Sequence, residues 1–238
     1  MEPGPLATLA LGFLLGMEHA LDADHVVAVS TMVSRHRSLS RSSLVGIFWG
    51  LGHTGTLFLV GVAVILFKVK IPERLALSME FAVGVVLVAL GASVLWGFLQ
   101  PRVHAHVHRH GGEIHIHFHS HAGGEHHDHE HPSAAYGRSV LVGMVHGLAG
   151  SAALMLLILT TIRDPQVGLL YILVFGAGSI LGMLGISGLL GVPFVLTAER
   201  FAGIHRGLRM AAGTASILYG AWIMVSTGVG RSLLRSLG

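Results

Sequence analysis

Five ionisable side chains lie within eight residues near the start of the sequence. They are Glu18, His19, Asp22, Asp24 and His25. The residues around them are apolar over a length sufficient to cross a membrane, where a charged side chain near the bilayer centre costs about 2.5–3.5 kcal/mol. Such side chains usually face a cavity, an ion path or one another. The cluster therefore predicts an internal polar site.

The residue types in this cluster are suited to a divalent metal ion. On an ideal helix at about 100° per residue, Glu18, His19, Asp22 and His25 fall within about 120°, and Asp24 points away. Imidazole binds nickel, copper, zinc and cobalt, and carboxylates supply compensating charge. The alternative is a polar helix–helix contact, which usually uses Ser, Thr, Asn or a single His. We therefore predict a metal site. Asp24 either holds a ligand imidazole in one tautomer, or the helix is broken between Gly16 and His25.

The composition predicts an all-α polytopic membrane protein. Hydrophobic residues make up 52% of the chain, charged residues make up 11%, and the mean hydropathy is +0.71. The chain contains no cysteine, which excludes disulfides and thiolate ligands. Six apolar stretches are long enough to span about 30 Å of hydrocarbon. They are Leu6 to Val33, Leu44 to Phe67, Leu75 to Leu99, Ser139 to Ile162, Val167 to Leu196 and Leu208 to Val229.

Two further histidines fall inside predicted spans, and one of them belongs to an internal repeat. His53 follows Gly52 in the second span, and small residues there allow another helix to approach closely. Residues 143–152 repeat the pattern of residues 16–25, with Gly-Met at the start and His146 in the place of His19. The candidate intramembrane metal residues are therefore His19, Asp22, Asp24, His25, His53 and His146.

The repeat also predicts the topology. Each half contains three predicted spans, an odd number, so the second half enters the membrane from the opposite side. This construction is a 3+3 inverted repeat, which in many secondary transporters places the substrate site near the midplane. The predicted units are residues 1–99, a histidine-rich loop at 100–138, and residues 139–238.

The central loop contains twelve of the eighteen histidines. Eight of them alternate with other residues on either side of Gly111 and Gly112, so the segments could pair as a hairpin; a disordered chelating segment is the alternative. Either form would bind nickel, copper, zinc or cobalt with little discrimination. The histidines are His104, His106, His108, His110, His115, His117, His119, His121, His126, His127, His129 and His131.

Basic residues indicate the orientation. With the N-terminus outside, nine of the fifteen Lys and Arg side chains fall on the cytoplasmic side. This favours a cell-membrane protein with both termini outside and the histidine-rich loop in the cytoplasm. The pI near 9.8 reflects Lys and Arg side chains in the loops, which would lie next to anionic lipid. No nucleic-acid partner is predicted.

Two motifs resemble one known family. Residues 19–25 (HALDADH) resemble the H-x4-D-H signature of the nickel/cobalt transporter family, and residues 48–54 (FWGLGHT) look like its second motif. Larger members have an additional helix before the signature helix. Their later helices carry acidic motifs, whereas this chain has HGLAGS at residues 146–151 and GSILG at residues 178–182. The short form resembles the UreH-type branch. That resemblance implies nickel supply to urease, with a cytoplasmic metallochaperone such as a urease accessory protein as partner.

The sequence therefore predicts a permease for divalent metal ions, most simply nickel or cobalt uptake, with no resident cofactor and no enzymatic activity. An efflux permease is the nearest alternative. An intramembrane hydrolase would use Ser187 in the G-x-S-G pattern of residues 185–188, but the sixth span offers no histidine to activate it. A membrane-anchored metal buffer would need neither the repeat nor the buried cluster.

Overall fold

Seven helices and one two-stranded hairpin make up the part of the chain that the computed structural model describes, residues 5–68, 71–99, 103–110, 113–120, 132–162 and 164–227. In chain order they are α1 (Pro5–His19), α2 (Ala23–Val33), α3 (Leu39–Phe67), α4 (Glu73–Leu99), β1 (Val103–His110), β2 (Glu113–Ser120), α5 (Pro132–Thr161), α6 (Pro165–Ala198) and α7 (Ala202–Ser226).

Four of these helices, α3, α4, α6 and α7, are each long and apolar enough to cross a membrane, and the pair α1 and α2 together forms a fifth, bent candidate. Large apolar side chains on the outer surface support a lipid environment. Leu66, Leu189 and Leu218, on three different helices, are each at least 60% exposed. The chain is a multi-pass membrane protein.

The first span is not the single helix that the sequence predicted. α1 ends at His19 and α2 begins at Ala23, and their axes differ by 54°. Two short-range bonds close α1, from the Leu21 amide to the Glu18 carbonyl and from the Asp22 amide to the His19 carbonyl, and the next bond runs from the Val26 amide to the Asp22 carbonyl. The broken helix, one of the two alternatives for this segment, is observed. The contact of the other alternative is present as well, since Asp24 lies 3.0 Å from Nδ1 of His25.

The helices pack in two groups. α3 lies between α5 and α6, and α1 packs on the other side of α6; α4 packs along α7, while α2 contacts α4, α6 and α7. The buried core includes Trp49 and Leu87, which are fully buried, together with valines from α2, α3, α4 and α5.

Close contacts at glycines occur in matched pairs at corresponding positions of the two sequence halves. An added Cβ at Gly16 in α1 would collide with the Phe175 carbonyl of α6, and one at Gly143 in α5 would collide with the Trp49 carbonyl of α3. Further matched contacts join Gly52 to Val140 and Gly178 to Phe13, and join Gly84 to Gly220 and Gly91 to Gly213. Small residues thus set the spacing of α1 with α6, α3 with α5, and α4 with α7.

The histidine-rich segment contains antiparallel strands. β1 and β2 pair with His104 opposite His119, His106 opposite His117, and His108 opposite His115. This is the register that the alternation of histidines on either side of the glycines allowed. His121, His126, His127, His129 and His131 lie outside the described residues.

Two glycines of α3 provide a matched test of this packing. We expect Gly52→Ala to lower the melting temperature in detergent, because the added methyl would collide with the Val140 backbone; overpacking of this kind typically costs about 1–3 kcal/mol. Gly55→Ala should be neutral or stabilising, since nothing lies within 4 Å of its added Cβ. Equal melting temperatures for the two variants would contradict the close approach of α3 and α5.

Candidate metal centre

Four histidines from four helices meet inside the bundle. His19 ends α1, His25 lies in the first turn of α2, His53 is in the middle of α3, and His146 is in the middle of α5. The ring centroid of His25 lies 4.7 Å from that of His19, 5.3 Å from that of His53 and 5.4 Å from that of His146. The sequence-predicted imidazoles are therefore neighbours, with His25 at the centre.

Three of these imidazoles have the spacing of a ligand set. One ring nitrogen each from His19, His25 and His53 lies within 4.8 Å of the others, and the Nε2 atoms of His19 and His53 are 3.2 Å apart. Metal–imidazole bonds are about 2.0–2.1 Å, so two nitrogens on one ion are at most about 4.2 Å apart. Shifts of less than about 1 Å would place all three nitrogens on one divalent ion.

Hydrogen bonds orient three of the four rings in the same way. In each of them Nδ1 faces an oxygen acceptor, so a proton on Nδ1 is donated to that oxygen and Nε2 keeps its lone pair. The Nδ1–oxygen pairs are His19 with Asp22 at 2.8 Å, His25 with Asp24 at 3.0 Å, and His146 with the Val142 carbonyl at 2.9 Å. Metal-binding histidines typically have this arrangement.

Several buried nitrogens at this centre have no hydrogen-bond partner among the described residues. They include Nε2 of His25, Nε2 of His146 and Nδ1 of His53, and all three side chains are at most 2% exposed. An unsatisfied polar atom in a protein interior costs about 1–3 kcal/mol. Several unsatisfied polar atoms in one place indicate a site that takes up a ligand.

The carboxylates contribute charge beside the rings. Asp22 and Asp24 form a second potential ligand group with His25, and the second Asp24 oxygen lies 4.0 Å from Nε2 of His146. Asp22 occupies the N-cap position of α2 but makes no capping bond, because its carboxylate is turned toward His19. The Asp22 side chain is 54% exposed and that of Asp24 is 28% exposed, so the carboxylates form the accessible side of the cluster.

The helix break corrects two of the sequence-based placements. Asp24, which an unbroken helix would point away, contacts His25 and approaches His146. Glu18, which an unbroken helix would place on the ligand face, is exposed and is not part of either potential ligand group. Both errors come from assuming one continuous helix: the turn at 20–22 redirects the side chains after it, so they no longer share a helical face with Glu18.

Aromatic rings enclose the histidines, and the sequence interpretation gave them no role. Trp49 is fully buried; its ring centroid lies 5.5 Å from that of His25 and 4.9 Å from that of His146. Phe175 lies 5.5 Å from His19. Trp49 is four residues before His53, one turn along the same face of α3, and this spacing was the available signal. The rings line the buried side of the cluster.

A bundle of apolar helices around a buried imidazole and carboxylate cluster defines a polytopic membrane protein with a candidate intramembrane metal centre. Comparison with known proteins identifies the family. The chain is 41% identical over 230 residues to the urease accessory protein UreH of Bacillus sp. (strain TB-90), covering 97% of this chain and 96% of that protein. The chain belongs to the UreH branch of the nickel/cobalt transporter family.

A more distant relative matches one part of the chain. The high-affinity nickel transport protein of Cupriavidus necator (strain ATCC 17699 / DSM 428 / KCTC 22496 / NCIMB 10442 / H16 / Stanier 337) is 30% identical over 94 residues, which are 39% of this chain and 26% of that protein. No family model matches the chain, and no solved structure is significantly similar to it. The names of the two relatives describe an accessory and a transport protein, in agreement with the prediction that the chain is not an enzyme.

Trp49 provides a reporter for this centre. In a variant with Trp96→Phe and Trp222→Phe, the remaining tryptophan lies against His25 and His146, and we expect paramagnetic Ni²⁺ or Co²⁺ to quench its fluorescence while diamagnetic Zn²⁺ does not. Asp24→Asn should raise the quenching dissociation constant about 10- to 100-fold, since it weakens the partner of His25.

Glu18→Gln is the matched control, because it removes a nearby exposed carboxylate from outside the cluster. Its dissociation constant should stay unchanged. Equal weakening by Glu18→Gln and Asp24→Asn would indicate a diffuse charge effect and would contradict the assigned geometry.

Proposed function

We propose that the chain is a permease for divalent transition metal ions, with nickel the first candidate and cobalt the second. The observation that carries this proposal is the break in the first span, beside which nitrogens of three imidazoles lie within 4.8 Å of one another, next to two carboxylates inside an apolar bundle. Half-helix ends near the midplane are typical of transporter substrate sites. The two relatives, named for urease accessory function and for nickel transport, support the metal and the process.

The proposed route uses the difference in exposure across the cluster. A hydrated cation first meets Asp22 and Asp24, the accessible groups. Their two negative charges offset the two positive charges of a divalent ion. The Nε2 atoms of the buried histidines then replace water in the coordination shell. His25 belongs to both potential ligand groups, so it lies between the carboxylates and the other imidazoles on the proposed route. The ion is the transported substrate.

Imidazole and carboxylate ligands also limit the choice of metal. Nickel, cobalt, copper and zinc accept imidazole, whereas magnesium and calcium prefer sites made of oxygen alone. A set dominated by neutral imidazoles therefore favours the first group. Nickel and cobalt accept the same donor set. Within that group we propose nickel because the two relatives are named for urease accessory function and for nickel transport.

We further propose that α5 crosses the membrane as well, giving six spans arranged as a 3+3 inverted repeat. α5 has 30 residues, about 45 Å of helix, which exceeds the hydrocarbon thickness. The matched glycine contacts support the repeat, since each contact of one half has a counterpart at the corresponding positions of the other half. Under this symmetry His146 is the counterpart of His19, and Ser179 is the counterpart of His53.

The proposed orientation places both termini outside and the histidine-rich loop in the cytoplasm, as the distribution of basic residues favours. The loop histidines would then bind the ion on the cytoplasmic side and pass it to a metallochaperone such as a urease accessory protein. The name of the UreH relative, a urease accessory protein, supports a link to the urease system and so to this partner. An efflux permease uses the same site in reverse, with the loop collecting the ion before transport.

The other two alternatives account for less of the structure. Ser187, the candidate nucleophile of a hydrolase, is fully buried and packs against Gly46 of α3. A metal buffer anchored by its helices would not need imidazoles at the centre of the bundle. Deleting the loop separates the buffer from the permease, because a permease should retain flux and a buffer should lose all metal-dependent activity.

Asp22→Asn tests the role of charge at the accessible side of the site. The change preserves volume and an oxygen that can accept the proton of His19, but it removes the negative charge. We expect nickel uptake into proteoliposomes to fall to background, with normal insertion and melting temperature. Glu80→Gln, which alters an exposed carboxylate of α4 outside the cluster, should leave uptake unchanged. Full uptake by the Asp22 variant would defeat the assignment.

Replacing the twelve loop histidines with serine distinguishes import from export. For an importer we expect the initial uptake rate in vesicles to remain nearly unchanged while cellular retention of nickel falls, because the loop acts after passage. For an exporter the nickel concentration needed for half-maximal flux should rise. Complete loss of flux at every nickel concentration, with normal folding, would show that the essential site does not lie in the helices alone.

A further inference from the structure

A separate cavity of about 460 Å³ lies between α2, α4 and α5. Its volume is in the range of ligand sites, roughly 300–1,000 Å³. Most of its wall is apolar and is formed by Met32, Val86, Leu90, Val142 and Val145.

The polar lining groups are concentrated at one end. On α5, Arg138 and Ser139 precede the apolar residues Val142 and Val145, and Arg35 and His36 directly follow the end of α2. Arg35 donates a hydrogen bond to Ser93 Oγ of α4 at 2.7 Å, which brings the polar ends of α2 and α4 together. The cavity is therefore basic at its mouth and apolar in its interior.

The charges select the kind of ligand. Two arginines and a histidine line the mouth, and no carboxylate of the described residues lines the cavity. This potential repels a divalent cation, so the cavity is not a branch of the proposed ion route. It attracts an anion, and arginine in particular binds phosphate oxygens.

The length of the cavity indicates what must be attached to the phosphate. Along α5, the cavity extends from Arg138 to Val145, about 10 Å of helix rise, which is most of one leaflet of hydrocarbon about 15 Å deep. Leu141, another lining residue, is 61% exposed on the surface of α5, so the cavity borders the lipid-facing side of the bundle. The ligand must have a phosphate at one end and a chain that reaches along these walls.

We infer that this cavity binds an anionic phospholipid, with its phosphate against Arg35 and Arg138 and an acyl chain between α2, α4 and α5. Basic pockets between transmembrane helices bind anionic head groups in this way. The lipid would fill the space beside the turn of α5 whose Val142 carbonyl orients His146. It would also bridge α2, which carries Asp24 and His25, to α4 and α5.

Lipid binding to the full-length protein in detergent tests this inference. We would measure by native mass spectrometry the dissociation constants of dioleoyl phosphatidylglycerol and dioleoyl phosphatidylcholine, which share their acyl chains. The anionic lipid should bind at least about tenfold more tightly, and Arg35→Gln with Arg138→Gln should abolish that preference. Arg200→Gln with Arg206→Gln removes the same charge from exposed positions outside the cavity and should preserve it.

A second pair of variants tests the acyl chain without changing charge. Ala89 lines the cavity and Ala92 does not, and both are exposed positions of α4. Ala89→Trp should fill the cavity and weaken binding of the anionic lipid about tenfold or more, whereas Ala92→Trp should not. Melting temperatures in phosphatidylcholine identify any variant that fails to fold.

Three results would overturn the inference. Equal dissociation constants for the two lipids would show that the cavity does not select an anionic head group. Retention of the preference after both the arginine and the Ala89 changes would place the lipid elsewhere. An increase in melting temperature produced by glycerol phosphate as large as that produced by phosphatidylglycerol would identify a site for a free anion and exclude the role of the acyl chain.

Discussion

The structure depends on the pairing of Asp22 and Asp24, at the break in the first span, with two histidines. A charged group in hydrocarbon is costly, and the turn at 20–22 lowers this cost by placing Asp22 beside His19 and Asp24 beside His25. The same pairs fix the imidazole tautomers, which leaves Nε2 of each ring directed away from its carboxylate. The same local arrangement therefore allows two carboxylates inside the membrane, breaks the helix and orients the imidazoles that are the proposed ligands.

Small residues supply the second requirement, because His53 and His146 must approach from other helices. Gly52 and Gly147 let the backbones of α3 and α5 pack closely, since a Cβ at either position would meet the facing backbone. Gly16, three residues before His19, does the same for α1 against α6. Close packing of this kind makes the position of each imidazole a property of the whole bundle. The glycines of the helices therefore help to determine the distances between the histidines of the site.

Much of this could be predicted from the sequence, since hydrophobic length and the rarity of buried charge are strong constraints. The apolar stretches coincide with the helices to within a few residues at most ends, and the intramembrane histidines are neighbours, as their types suggested. For Asp24 the sequence left two alternatives, and Glu18 was placed on the ligand face, because helical periodicity assumes an unbroken helix and does not show where a helix breaks. The role of Trp49 was also missed: its spacing from His53 places the two on one face of α3, but the contacts with His25 and His146 come from packing between helices.

One metal ion is expected to bind among His19, His25 and His53. The most direct test is anomalous diffraction at the nickel edge from crystals of nickel-loaded protein in which the twelve loop histidines are serine. We expect an anomalous peak about 2.0–2.2 Å from the Nε2 atoms of these histidines, with Asp22 or Asp24 beside it. A nickel peak elsewhere in the bundle, with these three side chains unligated, would contradict it.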